Sequence, residues 1–284
     1  MHPVDFSYTA ASSVSQVCAE LPADLDGTRL LAGGMSLLPA LIRREARPRR
    51  LIDITGIPQL RHLSTSAAGL HVGAGITQRT LERSSELAGY ELLRRALPLV
   101  GTVPTRNRGT ICGSLAHADP AAQLGVCLVA LGGELTARSS SGVRRIPATE
   151  FFRGPYRTAL RRDELLTKVT FERPAVGTLC YFDQVSLRGV GDRPLVSMAL
   201  TVRAGRNNQP RLVVGGAGQR PLAAPAEIMA LAADPSDDAI AAAATALGRA
   251  VQFADDARAT AAHRQRLSVR LFGRLLRQWR EDIR

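Results

Sequence analysis

Two stretches place glycines beside hydroxyl residues where a strand pattern gives way to a helix pattern, and bare backbone in such a place can bind an anion. The first is Ala32–Gly33–Gly34–Met35–Ser36–Leu37. The second runs from Arg106 to Leu131 and contains Arg-Asn-Arg-Gly-Thr-Ile-Cys-Gly-Ser. Glycine has no Cβ, so it lets a ligand approach the main chain and accepts positive φ. In the first stretch Ser36 is placed to act as an N-cap, and Pro39 falls in the first helical turn, where a missing N–H costs nothing. A helix start offers unpaired N–H donors and partial positive charge, which suit a phosphate. The competing reading is a tight strand-to-helix joint that needs glycine for its own geometry. On the first stretch alone that reading leads.

Neither stretch is a common nucleotide fingerprint. No Gly-Lys-Ser/Thr follows Gly33–Gly34, and the Gly-x-Gly beginning at Gly73 lacks the third glycine of a dinucleotide-binding turn. In the second stretch Gly109 and Gly113 bracket Thr110, Ile111 and Cys112, again exposing backbone beside a hydroxyl. Asp119 and Pro120 then read as the N-cap and first residue of an apolar helix, a structural explanation for the acid. Two such loops can grip the two ends of an extended dinucleotide. Together they favour a nucleotide cofactor.

Other chemistry is not legible. Cys18, Cys112, Cys127 and Cys180 form no Cys-x-x-Cys pair, so neither a zinc ribbon nor an iron–sulfur cluster is expected. Scattered thiols suit a reducing cytoplasm. His2, His62, His71, His117 and His263 are equally dispersed, and the sequence assigns neither a metal site nor a catalytic residue. The net charge is +12, with Lys168 the only lysine among 37 basic residues. These are spread along the whole chain without a reader motif, so nucleic acid is not an expected partner. The longest strongly apolar run, Leu124 to Gly133, is half of the roughly 20 residues that span a bilayer. Asp5 interrupts the first residues before any apolar signal core. The expectation is a soluble, cytoplasmic protein with no membrane contact.

The elements that must position the two loops alternate at first. Thr28–Gly34 reads as a strand, Ser36–Glu45 as a helix and Arg49–Ile54 as a strand. Leu60–Thr65 and Gly69–Gly75 form a strand pair. Helices follow around Thr77–Ser85 and Glu86–Gly101, the latter with leucines at helical spacing and arginines opposite. Gly133–Ala148 reads as a hairpin turning at Ser139–Gly142, and Glu164–Pro174 as a strand stopped by proline. Beyond Pro174 three strand-like runs precede three helix-like runs, the grammar of an α+β domain.

The two glycine loops, read in order, resemble those of the flavin-binding subunits of molybdenum hydroxylases, the carbon monoxide dehydrogenase and xanthine dehydrogenase group. Those subunits carry Ala-Gly-Gly-x-Ser-Leu-Leu-Pro near the N-terminus and Arg-Asn-Arg-Gly-Thr-Ile-Gly-Gly-Asn/Ser further on, followed by Asp-Pro-Ala-Ala. The likeness continues through the strands at 50–54 and 164–171, the Arg211–Leu222 stretch and the arginine-rich last helix. It implies an α+β fold: a two-lobed PCMH-type FAD-binding domain over 1–173, split near 55, then a smaller domain of antiparallel strands and helices over 174–284. It implies that the backbone of Ala32, Gly33, Gly34, Met35, Ser36 and Leu37 holds the pyrophosphate of a non-covalent FAD. Thr110, Gly113 and Ser114 supply further contacts, with His117, Asp119 and Gln123 following the motif and Leu165 or Leu166 near the ring systems. Arg266, Arg270, Arg274 and Arg277 on one face of the last helix suit docking or simple solvation.

The activity implied is that of an FAD-dependent oxidoreductase subunit passing electrons from iron–sulfur clusters to an acceptor. The clusters and the molybdenum cofactor would lie on partner subunits, a small and a large one. Two other readings stay open: a stand-alone flavoenzyme of specialised metabolism, and a scaffold that has lost flavin. The chain departs from the family pattern in three places. Cys112 replaces a glycine and would be strained if that position needs positive φ. Gln123 replaces a common glutamate. Arg193–Pro194 replaces a common aromatic, so Arg193 either faces the isoalloxazine or is a solvated loop residue.

Overall fold

Residues 5–24, 27–189, 191–203, 209–233 and 236–283 are described by the structure, a computed structural model. The chain opens with β1 (Ser7–Ala10), α1 (Val14–Glu20), β2 (Thr28–Leu31), α2 (Leu37–Ile42) and β3 (Arg50–Asp53). The three strands form a parallel sheet in the order β1-β3-β2, with Arg50 opposite both Ser7 and Thr28. Parallel pairing requires a crossover between strands, which α1 and α2 provide. Ser13 starts α1 by accepting the Gln16 N–H at 3.1 Å.

The second sheet holds β4 (Leu63–Ser66), β5 (Gly69–Gly73), β6 (Gly133–Ser139), β7 (Gly142–Pro147) and β10 (Leu165–Phe171), in the order β4-β5-β10-β6-β7. Between β5 and β6 the chain makes five helices: α3 (Gln78–Glu82), α4 (Glu91–Ala96), α5 (Val103–Arg108), α6 (Ile111–His117) and α7 (Gln123–Leu131). After β7 come α8 (Ala148–Phe151) and the short pair β8 (Phe152–Gly154) and β9 (Arg157–Thr158). The expected helix over 86–101 is broken. Gly89 has φ of 83°, so the α-helix begins only at Glu91, and a 3-10 turn replaces it at Leu97–Leu99, where Pro98 cannot continue the hydrogen-bond ladder.

The last part contains β11 (Thr178–Ser186), β12 (Pro194–Arg203), β13 (Gln209–Gly215), β14 (Leu222–Ala223), α9 (Ala226–Leu231), α10 (Asp237–Ala250) and α11 (Ala261–Asp282). Its antiparallel sheet follows chain order. Both faces are covered, so β12 is buried along nearly its whole length. Cys180, Phe182, Ala199 and Val213 join the core of the first two sheets. Their neighbours Tyr181, Met198, Leu200 and Val214 pack with Phe272 and Trp279 of α11. Successive strand residues point to opposite faces, and here the two faces serve two cores. α7 lies against β12 and β13 and is buried almost all round, as its uniformly apolar sequence requires. The α+β architecture expected from the change of grammar at Pro174 is present. On α11, Arg266, Arg270 and Arg277 are exposed, and Arg274 pairs with Asp183.

Candidate functional site

The first glycine loop follows β2 and rests on the second. A Cβ on Gly33 would lie 2.0 Å from the Arg108 carbonyl oxygen and 2.8 Å from Gly109 Cα, so glycine is required by close approach of main chain to main chain. Gly34 is required for a different reason, its φ of 74°. The N–H groups of Gly33, Gly34, Met35 and Ser36 find no acceptor among the described residues. Ser36 does not cap α2: it sits in helical conformation, and its hydroxyl accepts no backbone N–H. The expected cap is therefore absent. Ser36→Ala should change the stability of the ligand-free protein by less than about 0.5 kcal/mol, below the ~1 kcal/mol of a lost cap. Urea unfolding of the two proteins checks this.

The second loop is pinned from behind. Gln78 N donates to Gly109 O at 2.8 Å and Ile111 N to Ile76 O at 3.1 Å, with Thr77 and Thr110 forming a β-bridge. Thr110 caps α6 by accepting the Gly113 N–H at 3.0 Å. Gly113 lies under the first loop, since a Cβ there would be 2.6 Å from Thr110 Oγ1 and 3.7 Å from the Ala32 methyl. The two loops are thus in contact. The Ser114 hydroxyl has no protein partner among the described residues.

Arg106, at the head of this motif, is structural. Its side chain is 6% exposed, and it donates to Glu82 through Nε at 3.0 Å and to the carbonyls of Val100 and Gly101 at 3.0 and 3.2 Å. Cys112 is the second residue of α6 and takes an ordinary helical backbone, so the strain expected of it does not arise. It is buried, its thiol points to Val72 O at 3.6 Å, and burial pushes its pKa up to about 12. Such a thiol is inert at neutral pH.

Asp119 is not the N-cap of α7, which begins at Gln123. Its Oδ1 instead accepts from Ala121 N at 2.9 Å, closing a turn, and from Arg193 Nη2 at 2.5 Å. Arg193 is therefore ion-paired at the cleft rather than free in solvent. The pair joins the β11–β12 connection to the segment after α6. His117 ends α6, its ring centroid 5.0 Å from that of Tyr156. Desolvation lowers the His117 pKa, Asp119 opposes this and Arg193 lowers it further, which favours the neutral ring. Gln123 is buried and donates to Leu99 O at 3.1 Å and to Gln184 Oε1 at 3.0 Å, tying α7 to β11.

A cleft of about 780 Å³ runs between these elements, and all fourteen residues expected at the site line it: Ala32 to Leu37, Thr110, Gly113, Ser114, His117, Asp119, Gln123, Leu165 and Leu166. The two leucines are neighbours in a strand, where successive side chains ordinarily diverge. β10 is bulged between Leu166 and Lys168, which re-aims it there. Sequence reasoning missed Gln78, Tyr156 and Glu164, which also line the cleft. Gln78 is 4% exposed with no partner for Oε1, and in sequence it reads only as the start of a helix. Glu164 is held by Arg144 at 2.6 and 2.8 Å and by Arg161 N at 2.7 Å, contacts that sequence spacing does not foretell.

Residues 4–173 match the family model for the FAD binding domain in molybdopterin dehydrogenase, and residues 181–279 that for the CO dehydrogenase flavoprotein C-terminal domain. The chain belongs to the FAD-binding medium subunits of the molybdenum hydroxylases. This medium subunit is 33% identical over 233 residues to the glyceraldehyde dehydrogenase medium chain of Sulfolobus acidocaldarius, covering 79% of this chain and 80% of the relative. It is 31% identical to the nicotine 6-hydroxylase medium subunit of Paenarthrobacter nicotinovorans, over 95% of both chains. Among solved structures it superposes on carbon monoxide dehydrogenase from Hydrogenophaga pseudoflava with a TM-score of 0.91, at 29% identity and 96% coverage of each chain. The resemblance first carried by the two glycine motifs thus extends to the whole fold.

The residues present fit the cofactor of this family. The first loop offers amide donors that the protein leaves unused, beside a second loop whose glycine admits no side chain. The cleft between them carries hydroxyls at Ser36 and Ser114 and an apolar wall at Leu165 and Leu166. Among the described residues no cluster of His, Cys, Asp or Glu can hold a metal ion, and no helix is long and apolar enough to cross a membrane.

Proposed function

We propose that the medium subunit binds FAD non-covalently in this cleft, with the pyrophosphate on the main chain of Ala32–Leu37 and further contacts from Thr110, Gly113 and Ser114. The observation that carries this is the run of unused N–H groups from Gly33 to Ser36, held against the second loop by main-chain contact. His117, Asp119, Gln123, Leu165 and Leu166 complete the walls. Bound FAD supplies a redox centre that accepts electrons singly and gives them to an acceptor. The protein contributes position and exclusion of water: α6 and the Asp119–Arg193 pair fix one wall, and β10 the other. The division into a cofactor domain over 1–173, split near 55, and a second domain over 174–284 belongs to the same reading.

The chain's place is in a cytoplasmic three-part complex, receiving electrons from iron–sulfur clusters on a small subunit while a large subunit carries the molybdenum cofactor and oxidises the substrate. Support comes from the family, whose relatives are named as subunits and medium chains. Purification from the native host should yield yellow protein together with two other chains. Acid precipitation should release all the flavin into the supernatant. A colourless protein would refute the cofactor, colour retained in the pellet would refute non-covalent binding, and a yellow protein isolated alone would refute the complex.

A further inference from the structure

Among the described residues that line the cleft, Tyr156 carries the single phenol ring. It lies outside both glycine motifs, in the two-residue connection between β8 and β9, and its φ is 56°. That region is disfavoured for a bulky side chain, and glycine is the usual occupant of a turn position with positive φ. Three ties hold it, two from the end of α6 and one from the β11–β12 connection. Tyr156 N–H donates to Ala118 O at 2.9 Å, Arg193 Nη2 donates to the phenol oxygen at 3.3 Å, and the His117 ring packs against its ring with a tilt of 51°. Ala118 itself has φ of 51°, so two of the three non-glycine residues with positive φ among the described ones meet in this contact. Yet Tyr156 remains 54% exposed. A strained backbone that presents an uncovered ring to a cleft points to a ligand for that ring.

We propose that Tyr156 is the aromatic surface against which the isoalloxazine of bound FAD lies, with the phenol fixed by Arg193 and the ring by His117. This rests on the FAD reading above. The surroundings favour the isoalloxazine over the adenine. The Asp119–Arg193 pair and the imidazole make this end of the cleft polar, which suits the ring on which charge changes during redox turnover. The exposure of Tyr156 and Arg193 leaves that ring an edge open to a partner subunit, which exchange of electrons requires and anchoring of a base does not. Aromatic surfaces also add directional attraction for a second flat ring.

Time-resolved fluorescence of FAD on the reconstituted protein tests the contact, in the wild type, Tyr156→Phe and Tyr156→Leu. A phenol touching the isoalloxazine quenches its excited state by donating an electron, whereas a phenyl ring is too hard to oxidise. The expected result is strong quenching in the wild type and several-fold longer lifetimes in both variants. FAD affinity should be nearly kept in Tyr156→Phe and several-fold weaker in Tyr156→Leu. Equal lifetimes in all three proteins overturn the proposal. Weakened ADP binding by Tyr156→Leu with an unchanged flavin lifetime also overturns it, placing the ring against the adenine. Tyr156→Phe keeps the ring and decides the question if the leucine variant fails to fold. Failure of the wild type to take up FAD removes the cofactor reading itself, an outcome distinct from uptake without quenching.

Discussion

Gly33→Val is expected to abolish FAD retention and to lower the stability of the ligand-free protein as well. Its Cβ would meet the Arg108 carbonyl oxygen at 2.0 Å and carbonyl carbon at 2.6 Å, and these atoms cannot rotate away as a side chain can. Ordinary overpacking costs about 1–3 kcal/mol, and a clash with main chain belongs at or above the top of that range. Relief requires the first loop to lift off the second, which scatters the free N–H groups of Gly33 to Ser36. Gly34→Ala should be milder in stability. Its nearest contacts are Leu38 Cδ1 at 3.0 Å and Cγ at 3.1 Å, part of a mobile side chain, leaving mainly the left-handed backbone penalty of about 1–2 kcal/mol. Flavin content and the thermal midpoint of the apo-proteins separate the two effects. A Gly33→Val protein with normal midpoint and normal flavin would show that the loops do not need their present contact.

Arg106→Met is expected to cost about 3–5 kcal/mol at neutral pH, the range for removing one partner of a buried ion pair. It orphans the carbonyls of Val100 and Gly101 and leaves Glu82 with Arg79 alone, at 2.9 Å. Burial by itself would raise the Glu82 pKa, but hydrogen bonds and charge from Arg79 and Arg106 outweigh it and hold the carboxyl below its ordinary value. A pKa depressed on folding contributes stability above the unfolded-state value and loses it as pH falls through the folded-state value. The deficit of the variant should therefore be widest at neutral pH and narrow in acid. Adding Glu82→Gln to Arg106→Met should recover part of the loss, because the carboxylate left with only the more exposed Arg79 is then no longer buried as a charge. Urea unfolding across pH measures both. A variant as stable as the wild type would mean that Arg79 alone satisfies Glu82.

The parts of this fold that sequence made legible are those governed by local rules. Glycine pairs marked both loops, alternation marked β10 and the β6–β7 hairpin, and the change from alternating to segregated elements marked the last domain. Errors arose where a local rule met a tertiary competitor. Ser36 and Asp119 both had the residue type and position of an N-cap, but Asp119 is engaged by Arg193 from 74 residues away, and Ser36 sits in helical rather than extended backbone. Glu86–Gly101 had helical spacing, but one glycine with positive φ divides it. The reason for Gly33 was invisible for the same cause, since its neighbour is the main chain of a distant loop. Tyr156 and Gln78 carried no signal at all, because their meaning lies in the cleft they face.

The sheet of β11–β14 gives alternate residues to two cores, with Phe182, Ala199 and Val213 on one side and Met198, Leu200 and Val214 on the other. A strand cannot leave one core and stay in the other. Whatever loosens α10 and α11 therefore also strips the outer wall from α7, and through it disturbs Gln123 and the cleft beyond. In energetic language the shared sheet is expected to make both cores melt in one cooperative transition, so that occupancy of the cleft would protect the distant C-terminal helices by mass action. A partner gripping those helices would, by the same reciprocity, tighten the hold on the cofactor.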